Sequence, residues 1–210
     1  MDIDLKKFNC IGILGGTFNP VHKGHTMLAR EVIEQFPDIE GLILMPNNLP
    51  AYKDCAHIIS SEHRLNMLKL VSDKLPKTYV SNMEIMRGGT TYTIDTLNQI
   101  KSINENTKIY FIIGADSLYN IEKWCNYRDI FKKCTIIAAK RDCNLDDIKE
   151  YSDKLILKYP ELKIKFLETQ AINISSSQLR ASIKEGNIDE KYLDISILNY
   201  IKVNNLYGWT

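Results

Sequence analysis

The chain has 210 residues, 44% hydrophobic and 25% charged, with 27 basic side chains against 26 acidic ones. That length and composition suit one α/β domain spanning residues 1–210, with enough apolar content for a proper core. A formal charge of +1 advertises neither a nucleic-acid nor a membrane surface, and no apolar stretch reaches membrane-spanning length.

The opening "MDIDLKKFNC" lacks the long apolar run of a signal peptide. Short apolar, β-branched runs then alternate with amphipathic stretches. A strand is predicted over residues 10–14, a helix over 26–36 and a strand over 41–45. The polar, irregular stretch 46–60 reads as a substrate loop. Next come a helix over 61–74, a strand over 79–82, a helix over 93–104 and strands over 108–114 and 135–139. A helix over 145–159, a strand over 163–167 and helices over 175–187 and 192–205 close the chain, with Gly186 as the C′ residue of the first. Continuous apolar strands separated by helices predict an α/β fold. Its Rossmann-like, mainly parallel sheet would carry helices on both faces, with two C-terminal helices appended.

Five cysteines, Cys10, Cys55, Cys125, Cys134 and Cys143, are odd in number and form no C-x-x-C pair. They argue for reduced thiols in a cytoplasmic protein, not for a disulfide framework or a zinc site. His57 and His63 fit no familiar metal-ligand spacing, so no metal site is expected.

The stretch "GGTFNPVHKGH", residues 15–25, directly follows the first strand. Ligands of open α/β sheets bind beyond the carboxyl ends of strands, where strand order reverses. Gly15 and Gly16 let main-chain N–H groups approach an anion, and a helix beginning near Lys23 aims its positive end there. The segment matches neither G-x-x-x-x-G-K-[ST] nor G-x-G-x-x-G. What remains is a loop with His22 and His25 three apart; if His25 starts the helix, both imidazoles converge on one phosphoryl group. The plainer alternative is that both merely cap a helix.

Later segments add further candidates. "ISSSQLR" (174–180) places Ser175 and Ser176 at a helix N-terminus with Arg180 one turn inside, able to face polyphosphate or to serve as an ordinary cap and a surface arginine. "RGGTTYTIDTL" (87–97) offers free N–H groups at a helix start for a second anion, or simply a capped helix after a turn. In "FIIGADSL" (111–118), read as a strand ending in Gly114-Ala115-Asp116, Asp116 either bonds a ribose hydroxyl or caps the next helix.

Taken together, "GGTFNPVHKGH", "RGGTTYTIDTL", "FIIGADSL", Trp124, "AAKR" (138–141) and "ISSSQLR" resemble, in order, the nicotinate-nucleotide adenylyltransferase family of the nucleotidylyltransferase superfamily. The H-x-G-H element is also similar to the HIGH motif of class I aminoacyl-tRNA synthetases, but no KMSKS-like loop accompanies it. The resemblance implies adenylyl transfer from ATP to nicotinate mononucleotide, giving deamido-NAD and pyrophosphate in NAD biosynthesis. The mononucleotide phosphate would attack the α-phosphorus in line. His22, His25 and Arg180 would be catalytic. ATP would also meet Gly15, Gly16, Thr17, Phe18, Asp116, Ile174, Ser175 and Ser176.

By the same resemblance, the mononucleotide would meet main-chain donors at Tyr92 and Thr93. Lys53, Cys125 and Arg141 would also line its site, and the Trp124 indole would stack on the pyridine. The alternative for Trp124 is a plain core role. Mg²⁺ would be brought with ATP, neither nucleic acid nor membrane would be a partner, and a homo-oligomer is compatible with this picture. Two departures stand out: Cys125 replaces a larger residue, where a main-chain role would survive, and the third residue of "ISSS" is a serine where threonine is commoner. Nicotinamide-mononucleotide and phosphopantetheine adenylyltransferases are the near alternatives, and a non-enzymatic nucleotide sensor a distant one.

Overall fold

Burial on both faces of each central strand dictates the layering of this protein. The computed structural model describes residues 3–51, 55–139, 145–169, 174–188 and 190–209. Its strands are β1 (Cys10–Gly16), β2 (Gly41–Pro46), β3 (Leu49–Pro50), β4 (Thr78–Val80), β5 (Thr90–Thr91), β6 (Lys108–Gly114), β7 (Thr135–Ala139) and β8 (Ile164–Leu167). The helices are α1 (Lys23–Gln35), α2 (Ser61–Ser72), α3 (Met83–Arg87), α4 (Thr93–Ile103), α5 (Ala115–Tyr119), α6 (Tyr127–Lys133), α7 (Leu145–Lys158), α8 (Ser176–Lys184) and α9 (Ile195–Val203). Six strands form one parallel sheet in the order β4-β2-β1-β6-β7-β8, while β3 and β5 make a separate two-residue parallel pair.

Successive side chains of a strand point to opposite faces, and here both sets are apolar. Leu14, Leu42, Leu44, Ile112 and Ile137 join Leu28, Met67, Leu179 and Ile197 in one core, so α1, α2, α8 and α9 cover that face. Ile11, Ile13, Ile43, Phe111 and Ile136 join Leu97, Leu118, Phe131 and Leu155 in the other, beneath α4, α5, α6 and α7. Two-sided burial explains why the strands read as continuous apolar runs. The C-terminal helices are appended to the first face, with Ile183 and Ile201 sealed into its core.

Boundaries shift where local backbone geometry overrides the pattern. The first helix starts at Lys23, three residues earlier than its apolar spacing suggests, because extended His22 (φ −144°) takes the N-cap. The strand expected over 79–82 ends at Val80, and Asn82 becomes the N-cap of α3. The central strand ends at Gly114, so Ala115 and Asp116 open α5. Helices α3, α5 and α6 have five to seven residues, too few turns for a 3.6-residue period to appear in sequence. The stretch 46–60 is not wholly irregular, since β3 lies within it. Gly186, at φ +68°, occupies the C′ position after α8.

The strand order reverses between β1, which leads back through α1 to β2, and β6, which leads outward to β7. The crevice beyond the carboxyl ends of β1 and β6 is therefore the place where such a sheet receives ligands.

Candidate active site

The β1–α1 connection is a tight turn held in an uncommon shape. Phe18 adopts φ +50°, a left-handed conformation rare for a bulky residue, and its ring is 1% exposed. Burial of that ring, packed edge-on to His25 at 4.9 Å between centroids, keeps the turn in place. A Cβ on Gly16 would lie 3.1 Å from the same ring. The Asn19–Pro20 peptide is cis.

His22 is the N-cap of α1 and His25 its third residue, so the helix does not start at His25. The two rings lie side by side, 3.8 Å apart between centroids and tilted by 36°. Gly24 permits this, since a Cβ there would sit 3.1 Å from the His22 ring. His22 donates its main-chain N–H to His25 Nδ1 at 3.3 Å. In the neutral His25 ring the proton then sits on Nε2, leaving that nitrogen as a donor. The helix start and the paired imidazoles thus coincide: the capping position is real, and it also brings the rings together at the open end of the sheet.

Helix α8 docks against this turn from more than 150 residues away. Ser176 donates its hydroxyl to Pro20 O at 3.0 Å, and Arg180 Nη1 donates to Asn19 O at 2.8 Å. Ser175 caps α8, exchanging hydrogen bonds with Gln178. Ile174 packs against the first core and lies near Gly24. Ser175 and Ser176 therefore commit their hydroxyls within the protein, and what they offer outward is the set of N–H groups at the α8 start. Arg180 also donates Nη2 to Ser177 Oγ, yet five guanidinium donors leave some to spare.

The other flank is lighter. Tyr92 is the N-cap of α4 with no side-chain cap bond, and Thr93 is the first helical residue, so the first N–H groups of α4 lack intrahelical acceptors. Asn48 ties this segment down, its N–H donating to Thr91 Oγ1 at 3.1 Å and its Nδ2 to Gly89 O at 2.9 Å. Asp116 sits exposed in the first turn of α5, whose N-cap is Gly114; it does not cap that helix. Trp124 packs edge-on to Phe111 at 6.1 Å and is only partly buried, so it is not a plain core residue. It borders an open cleft of about 470 Å³ shared with Tyr127 and Arg128. Cys125 is exposed beside it. Lys53 and Arg141 lie outside the described residues, as does Cys143.

Sequence reasoning missed a hub behind the turn. Asn19 is 3% exposed; its Nδ2 donates to His57 O at 2.8 Å, and its Oδ1 accepts from Ile59 N–H and from the Tyr207 hydroxyl. Burial holds the Tyr207 hydroxyl well above its ordinary range, so it stays a neutral donor. Arg64 on α2 is 2% exposed and donates Nη1 to Thr17 O at 3.0 Å and Asn47 O at 2.7 Å. The only signal for it in sequence is an arginine inside the apolar pattern "HRLNML".

Among the described residues, no group of three His, Cys, Asp or Glu side chains is placed to hold a metal ion. No described helix is long and apolar enough to cross a membrane.

A family model described as cytidylyltransferase-like matches residues 13–182. The chain is 38% identical over 202 residues to a probable nicotinate-nucleotide adenylyltransferase of Lachnoclostridium phytofermentans, covering 94% of this chain and 98% of that one. A protein of the same name from Dehalococcoides mccartyi is also 38% identical, over 93% and 96% of the two chains. The fold is similar to that of a Plasmodium falciparum nicotinic acid mononucleotide adenylyltransferase complexed with NaAD, with a TM-score of 0.78 over 96% of this chain and 98% of that one. The same Plasmodium enzyme complexed with APC gives 0.76. At 22% and 21% identity, these two likenesses speak to the fold alone.

Proposed function

Because the chain belongs to the cytidylyltransferase-like family and, within it, to the nicotinate-nucleotide adenylyltransferases, we propose that the crevice beyond β1 and β6 is where it joins two nucleotides. The enzyme transfers the adenylyl group of ATP to nicotinate mononucleotide, giving deamido-NAD and pyrophosphate, a step of NAD biosynthesis. The observation that carries this reading is the pair of imidazoles, 3.8 Å apart, at a helix N-terminus where the strand order reverses.

The acceptor brings its own nucleophile, a 5′-phosphate oxygen, so no covalent enzyme intermediate is required. That oxygen forms a bond to the α-phosphorus as the bond to the β-phosphate oxygen breaks, and pyrophosphate carries the electron pair away. Charge accumulates on the equatorial oxygens during transfer. His22 and His25 stabilise it from the turn, with the positive end of α1 behind them. The N–H groups at the start of α8 and the spare donors of Arg180 receive the leaving pyrophosphate. Magnesium enters with ATP as part of that substrate, which asks no carboxylate cage of the protein.

The acceptor's pyridine carboxylate is received by the N–H groups at Tyr92 and Thr93, and Trp124 covers the ring. Such a site prefers the acid. A carboxylate accepts from two donors, whereas a carboxamide turns an NH₂ toward one of them and leaves it unpaired, at about 1–3 kcal/mol. Loss of the charge-assisted bond adds to that penalty. Expected kcat/KM for nicotinate mononucleotide therefore exceeds that for the nicotinamide form more than a hundredfold. Steady-state pyrophosphate release with both acceptors tests this, and equal values or a preference for the amide would overturn the reading.

The odd, scattered cysteines point to a reducing compartment, and we place the enzyme in the cytoplasm. Burial lifts the thiols of Cys10 and Cys134 to about 11 and about 12, so both stay protonated and inert.

A further inference from the structure

Among the described residues, Arg64 is the one lysine or arginine in the buried interior, at 2% exposure. Its two hydrogen bonds go to neutral main-chain oxygens, Thr17 O and Asn47 O, at the carboxyl ends of β1 and β2. Its Nε is buried and, among the described residues, has no hydrogen-bond partner. Among the described residues no carboxylate lies within ion-pairing distance of it. The titratable group that acts on its charge, the Tyr207 hydroxyl, is held neutral by burial. A guanidinium does not give up its proton in a protein, so the cost of burying this charge stays unrelieved within the chain.

We propose that Arg64 is a positioning residue for adenylyl transfer: it draws the Thr17 and Asn47 carbonyls inward, away from the nucleotide, and supplies a buried positive charge whose counter-charge is the bound polyphosphate. The inference rests on the reading that ATP phosphates occupy the β1–α1 turn.

The two carbonyls belong to the segments that frame the crevice. Asn47 is tied to the turn again through its N–H to Gly16 O at 3.0 Å and its Nδ2 to Thr17 Oγ1 at 3.3 Å. One side chain thus bridges the first residues beyond the β1 and β2 ends. A carbonyl left facing the crevice would repel phosphate; one bonded to Arg64 does not. The charge also acts through protein and not through solvent, so salt does not screen it as it screens surface lysines.

The test is calorimetric binding of Mg–ATP, without acceptor, to wild type, Arg64→Gln and Arg64→Lys. The glutamine keeps a hydrogen-bond donor and loses the charge; the lysine keeps the charge. Expected results are at least tenfold weaker ATP binding by R64Q, unchanged between 50 and 500 mM salt, and R64K within threefold of wild type. Should R64Q fail to fold, Arg64→Met serves as the neutral variant. ATP binding by the neutral variant within twofold of wild type, or by R64K as weak as by the neutral variant, overturns the proposal. Wild type that binds ATP but leaves nicotinate mononucleotide unreacted overturns the assigned reaction and leaves the role of Arg64 standing on its binding data.

Discussion

The two flanks of the crevice are built in opposite ways. The β1–α1 turn is held by its own buried Phe18 and Asn19 side chains and by distant groups: buried Arg64 from α2, and part-buried Arg180 and Ser176 from α8 and Tyr207 from near the C-terminus. The start of α4 is held by neighbours nearer in sequence: two hydrogen bonds from Asn48, a two-residue strand pair and, one turn in, Thr96 bonded to buried Glu84 and to Arg87. The difference follows from what each flank must do. Stabilising a phosphoryl transition state requires donors fixed before the charge develops, because reorganising them during transfer would consume the gain. Recognising a planar acceptor requires a few main-chain N–H groups and an aromatic face, which a helix start and one tryptophan supply at the surface.

The largest expected effect tests the rigid flank. His22→Ala and His25→Ala should each lower kcat a hundredfold or more, about 3 kcal/mol, while ATP binding weakens far less. A stopped assay of pyrophosphate release with parallel ATP titration reads both quantities. Either variant keeping half of wild-type kcat would mean that the paired imidazoles are only a helix cap.

A middle-sized effect tests the lighter flank. Trp124→Ala removes an aromatic face worth about 1–3 kcal/mol per stacked ring, so KM for nicotinate mononucleotide should rise about tenfold with KM for ATP unchanged. If both Michaelis constants rose together, Trp124 would be shaping the crevice as a whole and the division into two flanks would fail.

The smallest effect lies outside both flanks and calibrates them. Asp194 caps α9, accepting from Ser196 N–H and from Lys74 Nζ, each within 3 Å. Burial raises its carboxyl, but these hydrogen bonds outweigh it and bring the group down to about 2. A depressed carboxyl stabilises the fold above its unfolded value, near 3.8, and that contribution is lost as pH falls from about 4 toward 2. Asp194→Ala should cost about 1 kcal/mol of stability at pH 7, should flatten acid unfolding in that window, and should leave kcat/KM intact. Thermal melts at pH 7 and pH 3 check the first two, and an unchanged pH dependence would show the cap to be idle.

The sequence alone was enough for features set by neighbours a few residues apart. Two-sided apolar runs announced the parallel strands, Ser175 and Gly186 marked the ends of α8, and the spacing of His22, Gly24 and His25 put two imidazoles on one helix start. The family motif followed from the same short-range spacings. Tertiary structure alone decided what holds the motif, because those partners are distant in sequence: Arg64 is 47 residues from Thr17, Arg180 is 161 from Asn19, and Tyr207 is 188 from Asn19. No local periodicity encodes such contacts. It also turned the Ser176 hydroxyl onto Pro20 O, where the motif by itself aims it at phosphate. A hydroxyl bonds whichever acceptor the packed chain brings within reach, and only the fold determines which acceptor that is.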